Sequence, residues 1–304
     1  MRLRGAELMT RASRLVLHQD DIGMCHGANV AFADLSAAGT ITSGSVMVPC
    51  TWFSEAAEMA RSNSLLDLGV HLTLTAEKLH YRWSPLIGSS PTSGLVDDDG
   101  YMWRDVASVR RHADPSAAFE EMQAQMERAF ASGFDVTHID AHMGGVLAPE
   151  FCGEYLRLAD RYAIPALMTT SLWAYGPNGH LAGVTESQFA EFVQEASRIG
   201  VPLVNRVLET DFSRPLSRPI SPETYKAMFA AVASGDHSGW YFAALHPNAP
   251  GEVEVIEPDH SHVRTDEYLI FGSSAYSEWM RSGAIRTATM RSMRDEMRSI
   301  RQRS

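Results

Sequence analysis

The chain has 304 residues, 45% hydrophobic and 21% charged, a composition that suits an ordinary soluble globular protein with one large α/β domain or two small ones. Its formal net charge of −11 excludes nonspecific attachment to nucleic acid, whose phosphates require a basic surface. No run approaches the ~20 apolar residues of a membrane span.

Met1 to Arg14 holds Arg2, Arg4, Glu7, Arg11 and Arg14 without an apolar core. It reads as a disordered or peripheral N-terminus over residues 1–13 rather than a secretory signal, so a cytoplasmic protein is expected. Cys25, Cys50 and Cys152 are odd in number and widely spaced, which argues against a disulfide framework or a zinc knuckle.

From Arg14 onward strand-like and helix-like runs alternate. Arg14-Leu15-Val16-Leu17 reads as a buried strand, followed by a helix from Gly27 to Ala38 that stops at Gly39. Ser43 to Val48 is a strand, Trp52 to Arg61 a helix and Leu68 to Leu74 a third strand. Residues 76–115 break the rhythm, with Gly88, Pro91, Gly94 and the acidic run Asp97-Asp98-Asp99-Gly100 marking a long loop excursion.

Alternation returns with a helix from Ser116 to Ser132, a strand from Phe134 to Thr137 and a helix after Pro149. Pro165 to Met168 and Val201 to Val204 read as strands flanking a helix from Glu186 to Arg198. A helix from Pro222 to Ser234, a strand from Trp240 to Leu245 and a long helix from Arg264 to Arg281 follow, and an Arg-rich amphipathic helix at 284–304 packs outside. Seven or eight such βα units joined by short links predict a single closed, TIM-like (β/α) barrel over residues 14–304 with parallel strands.

The chemistry-bearing residues gather where these strands end. His18-Gln19-Asp20-Asp21 follows the first strand, His71 sits in the third, His138-Ile139-Asp140-Ala141-His142 follows the strand at Thr137, and His246 follows Leu245. Histidines and paired carboxylates at one end of a parallel sheet suit a metal-dependent hydrolase. Successive strand residues point to opposite faces, so one of Asp20 and Asp21 can ligate a metal while the other serves an attacking water as base. His138, Asp140 and His142 share a face if their strand stays extended, and three buried polar side chains need a metal or a hydrogen-bond network. Arg264 and Asp266 open a helix, where they make either a surface pair or an orienting group for a catalytic carboxylate. Trp83, Tyr101 and Trp103 in the excursion form either a satellite core or a stacking wall for a sugar ring.

These runs resemble the YdjC-like (ChbG/HpnK) carbohydrate deacetylases over roughly Arg14 to Met280. The resemblance is carried by Asp20-Asp21-Ile22-Gly23, Thr42-Ser43-Gly44-Ser45-Val46-Met47, Gly69-Val70-His71-Leu72-Thr73-Leu74, His138-Ile139-Asp140-Ala141-His142 and His246-Pro247. It implies a distorted (β/α) barrel related to polysaccharide deacetylases, binding one divalent ion and removing acetyl groups from N-acetylated amino sugars such as chito-oligosaccharides. Carried over by position, Asp21, His71 and His142 are metal ligands, Asp20 the base and His246 the acid, with His138, Asp140 and Arg264 in support. Two His and one Asp suit Zn2+, and the carboxylate also admits Mg2+ or Mn2+. This chain departs from the family at Met143-Gly144-Gly145 and at Asn248. Competing readings are a glycoside hydrolase using Asp20 and Asp140, and an inactive sugar-binding barrel motivated by the Asn248 corner. The expected partner is an N-acetylated sugar; nucleic acid and membrane are not expected, and a homodimer is compatible with the chain.

Overall fold

A computed structural model describes residues 13–176, 181, 183–233 and 238–303. The expected N-terminal tail up to residue 12 therefore lies outside the described residues. In chain order the regular elements are β1 (Ser13–Ile22), α1 (His26–Ala38), β2 (Ser43–Val46), α2 (Phe53–Ser62), β3 (Leu68–Leu72), α3 (Val106–His112), α4 (Pro115–Ala131) and β4 (Val136–Ala141). Then come α5 (Cys152–Tyr162), α6 (Glu186–Arg198), β5 (Val204–Glu209), α7 (Pro222–Ala233), β6 (Gly239–Leu245), α8 (Val253–Ile256), α9 (Ser261–Phe271), α10 (Ser274–Arg281), β7 (Thr287–Ala288) and α11 (Met290–Arg301).

The strands pair in the order β4-β3-β2-β1-β6-β5, every ladder parallel, with β7 added to the start of β1. The gap between β4 and β5 is crossed by the segment predicted as a strand at Pro165 to Met168. It makes isolated parallel bridges, Ile139 with Ala166 and Thr169 with Val204, rather than a continuous ladder. The result is a strongly curled parallel sheet, closed only by those bridges, with helices outside.

Both faces of such a sheet are covered, so its strands need not alternate apolar and polar residues. Every residue of β2 and β3 is buried. Helix ends follow local chemistry. Asp114 caps α4 by accepting from the backbone N–H of Ser116 and Ala117, ahead of Pro115, and Thr185 with Gln188 forms a capping box on α6. Gly39 ends α1 in the left-handed region, its N–H returned to Leu35 and Ser36.

Several boundaries differ from the sequence expectation. β1 does not stop at Leu17 but runs to Ile22, and β4 starts later and runs to Ala141, because His18, Gln19 and Ile22 in the first and Ile139, Asp140 and Ala141 in the second continue the ladders. The strand expected at Val201–Val204 begins at Val204 instead. The helix expected from Arg264 to Arg281 is two helices separated at Gly272-Ser273, Ser273 capping the second. The excursion contains an unanticipated α-helix, α3, capped by Asp105, and a 3-10 turn at Pro91–Ser93.

At the N-terminal ends of the strands α11 seals the sheet. The Met290 backbone N–H donates to Ser43, that of Arg291 to Asp67, and Arg294, only 6% exposed, reaches Asp135 and the carbonyl of Val136. The arginines of this amphipathic helix thus serve the fold.

Candidate metal centre and active site

The opposite ends of the strands surround a cavity of about 510 Å3, lined by Asp20, Asp21, His71, Glu77, Asp140, His142, His246 and Arg264 among others. Asp20 and Asp21 both face it, which simple alternation does not allow. Asp21 has a φ of 61°, in the left-handed region that non-glycine residues seldom occupy, and the β1–β2 register slips between Gln19 and Ile22. That twist turns the second carboxylate back to the side of the first. The expectation that neighbouring aspartates point apart is corrected accordingly.

Asp21, His71 and His142 converge. The Nε2 of His71 and Nδ1 of His142 lie 3.4 and 3.1 Å from Asp21 Oδ1, and the three donor atoms lie within 4.8 Å of one another. Each imidazole is oriented from behind by a carboxylate. His71 donates from Nδ1 to Asp140 Oδ1 at 2.8 Å, and His142 donates from Nε2 to Glu77 Oε2 at 3.0 Å. Asp140 is fixed in turn by Ser45, whose hydroxyl donates to Oδ2 at 2.8 Å. Carboxylate-backed imidazoles with their free nitrogens gathered on a third donor are the pattern of a metal site. The spacings fit one small divalent ion, whose ligands at roughly 2.1 Å stand about 3 Å apart.

Asp21 carries a further bond, from Arg264 Nη1 to Oδ2 at 2.7 Å, and Arg264 is held by Glu257 at 2.6 Å. Burial pushes the Asp21 carboxyl up, but Arg264 and the two imidazoles hold it well below the ordinary carboxylate range. Burial opposes charge on His71 and His142 as well. The carboxylates of Asp140 and Asp21 nevertheless lift His71 well above its ordinary value, and Glu77 and Asp21 lift His142. Without an ion these carboxylates favour the protonated form of both rings.

Asp20 stands beside this trio without belonging to it. His18 Nδ1 donates to its Oδ1 at 2.7 Å, and its Oδ2 lies 3.7 Å from His246 Nε2. Burial drives the His246 imidazole down to about 4, so the ring is neutral near pH 7. His138 lies deeper, 2.8 Å from His18 Nε2, and burial pushes it down to about 3. Gly69 makes room for that ring: a Cβ there would come 2.6 Å from it. His138, Asp140 and His142 do all point inward, but they occupy three depths, and only His142 joins Asp21 and His71 in one donor set.

Asn248 does not enter the cavity. It is 1% exposed, and its amide donates to Cys25 Sγ at 3.1 Å, so the departure from the family at this position lies outside the cavity lining.

The aromatic residues of the excursion need correction. Trp83 is buried in a satellite core with Met24, Met47 and Met102, its indole donating to the Thr75 carbonyl, and it backs the His142 ring at 6.1 Å. Trp103 stacks on His112 and donates to Gly94, while Tyr101 lies under Arg82. None of the three is among the cavity-lining residues; from the excursion Glu77 and Lys78 are. Large rings in a loop rich in Gly and Ser give it its own small core. The aromatic faces in the cavity are Tyr175 and Phe212, the latter edge-on to His246 at 4.8 Å.

Sequence reasoning missed Glu77 and Phe212, which lie in loops after strand ends, and Glu257, which closes α8. Their only signal was that position. Ser45 and His18 lay inside the motifs but carried no assigned role.

A family model described as YdjC-like protein matches residues 14–282. A carbohydrate deacetylase of Thermus thermophilus is 38% identical over 162 residues, 53% of this chain and 56% of that protein. One of Brevibacillus brevis is 29% identical over 163 residues, 54% of this chain and 61% of that protein. The chain thus spans about three fifths of the length of these curated relatives. A crystal structure from Enterococcus faecalis, described as that of a cellobiose-phosphate cleavage protein, superposes with a TM-score of 0.73 at 22% identity. It covers 93% of this chain and 99% of that one, which is a likeness of fold. With a match running from the second residue of β1 to just past α10, the chain belongs to the YdjC-like protein family.

Proposed function

We propose that the protein is a divalent-metal-dependent hydrolase that removes acetyl groups from N-acetylated amino sugars, chito-oligosaccharides being the first class to test. The observation that carries this reading is the pairing, in one cavity, of the donor trio Asp21, His71 and His142 with the proton-handling pair Asp20 and His246. The carbohydrate deacetylases of T. thermophilus and B. brevis support the substrate class.

Asp21, His71 and His142 would hold the ion, Zn2+ or Mg2+ being the candidates. Bound there, a divalent ion supplies a Lewis acid for the amide carbonyl and acidifies a water. The remaining work falls to the chain. Asp20 takes a proton from the attacking water on Oδ2, the oxygen facing His246. His246 is neutral before reaction, so its Nε2 can receive that proton from Asp20 and deliver it to the departing nitrogen. An amine leaves poorly unless it is protonated, which gives His246 its place. Arg264 and Glu257 hold Asp21 in its twisted conformation, and Phe212 and Tyr175 offer apolar faces to the C–H side of a sugar ring. Acetate and a free amino sugar are the products.

The glycosidase alternative asks Asp140 to act on substrate. That carboxylate is 1% exposed and spends both oxygens on His71 and Ser45, which argues against it. Incubation with N-acetylated chito-oligosaccharides separates the readings. Deacetylation releases acetate and free amine without new reducing ends; new reducing ends without acetate would overturn the proposal.

A further inference from the structure

His246 is served by a polar chain running away from the cavity. Its Nδ1 lies 3.0 Å from Thr210 Oγ1, and the Thr210 hydroxyl donates to Glu267 Oε1 at 2.7 Å. Tyr225 Oη donates to the same oxygen at 2.8 Å, and the His246 backbone N–H donates to Glu267 Oε2 at 2.7 Å. Glu267 is fully buried on α9, Thr210 is 2% exposed just after β5, and Tyr225 comes from α7. Two elements outside the sheet and two strand ends therefore meet on one carboxylate.

We infer that Thr210 and Glu267 are positioning residues for His246, fixing its Nδ1–H tautomer and balancing the charge that arises when Nε2 takes a proton. A hydroxyl has one hydrogen. Thr210 gives it to Glu267, so its oxygen can only accept from the ring, and Nδ1 must carry hydrogen. Nε2 is then left bare toward Asp20. A proton arriving there makes an imidazolium whose charge is met, through one hydroxyl, by the Glu267 carboxylate. A buried glutamate kept only for packing would not need to collect a hydroxyl bound to the active-site imidazole.

The inference rests on the deacetylase reading, and the test separates the two. Ring 15N shifts of His246 in the metal-free protein report the tautomer without any turnover. The expected result is Nδ1–H in the wild type and loss of that preference in Thr210→Val. A wild-type Nε2–H tautomer overturns the inference whatever the enzyme does. With turnover, Thr210→Val and Glu267→Gln should lower kcat on an N-acetylated chito-oligosaccharide by about 10²-fold, the scale of a misaligned acid, at nearly constant KM. Both should leave cleavage of 4-nitrophenyl acetate, whose leaving group departs without a proton, near wild type. Thr210→Ser should restore the amide rate. Parallel loss of both activities, or full amide activity in Thr210→Val, contradicts it. A wild type with the Nδ1–H tautomer but no acetate release would refute the deacetylase reading and leave the positioning chain standing.

Discussion

The two aspartates at the end of β1 differ by what holds them, and that difference is testable one residue at a time. Asp21 Oδ1 faces His71 and His142, whereas Asp20 is held by His18 and faces His246. Asp20→Asn should retain the ion and lower kcat by about 10²- to 10⁴-fold, while Asp21→Asn should lose the ion first. Metal content by elemental analysis beside turnover checks this, and equal metal loss in both variants would refute the division of roles. The raised His71 and His142 set the sign of a second expectation. Groups whose protons are held more tightly in the metal-free fold must release them when an ion binds, so affinity should climb as pH rises above about 6.5. Titration calorimetry in buffers of different ionisation enthalpy should record proton release. His138 and His246 act oppositely on stability. Both are depressed by burial, to about 3 and about 4, so the stability they lend is complete above about 6.5 and lost as pH falls through those values.

Each strand delivers its chemistry through local detail that pattern reading sees unevenly. β3 carries His71 and packs its Gly69 against His138, so Gly69→Ala must displace that ring or the strand. Overpacking of this kind costs about 1–3 kcal/mol, and His71 should move with its strand, so a lower Tm together with weaker metal binding is expected from thermal denaturation with and without the ion. An unchanged Tm and affinity would show the contact to be slack. The repeat of strand and helix was legible because apolar runs and caps such as Asp114-Pro115 and Thr185-Gln188 are written locally. The ends of β1 and β4 were not, since His18 and Asp140 look like loop residues until the far side of the sheet supplies their partners. The left-handed twist at Asp21 was invisible for a related reason: the partner of its turned carboxylate, Arg264, lies 243 residues away in sequence. The fate of the excursion's rings was undecidable from sequence, because a tryptophan packs equally well on Met24 and Met47 or on a sugar. Phe212, on the cavity wall beside His246, is the ring proposed for that role instead. Phe212→Ala should raise KM several-fold with metal content unchanged, whereas Tyr101→Ala should leave KM as it is.

At the scale of the whole molecule the curled sheet separates stability from chemistry. One end is closed by α11, where Arg291 and Arg294 hold Asp135 and the backbone of Arg291 holds Asp67. The other end gathers carboxylates and imidazoles around the cavity, a concentration of negative charge suited to a divalent cation. Arg294→Ala should therefore lower the denaturation midpoint, by roughly 1–3 kcal/mol for a largely buried guanidinium that serves a carboxylate and a carbonyl, and leave metal affinity intact. The family likeness spans both ends, residues 14–282, although α11 lies beyond the matched stretch. The central claim is that this cavity does its chemistry with an ion held by Asp21, His71 and His142, and acetate release from an N-acetylated chito-oligosaccharide before and after chelation tests it most directly. Release should stop when the ion is stripped and return when one equivalent of Zn2+ or Mg2+ is restored, with His71→Ala and His142→Ala failing to recover. Acetate release that continues undiminished in the stripped protein would contradict it.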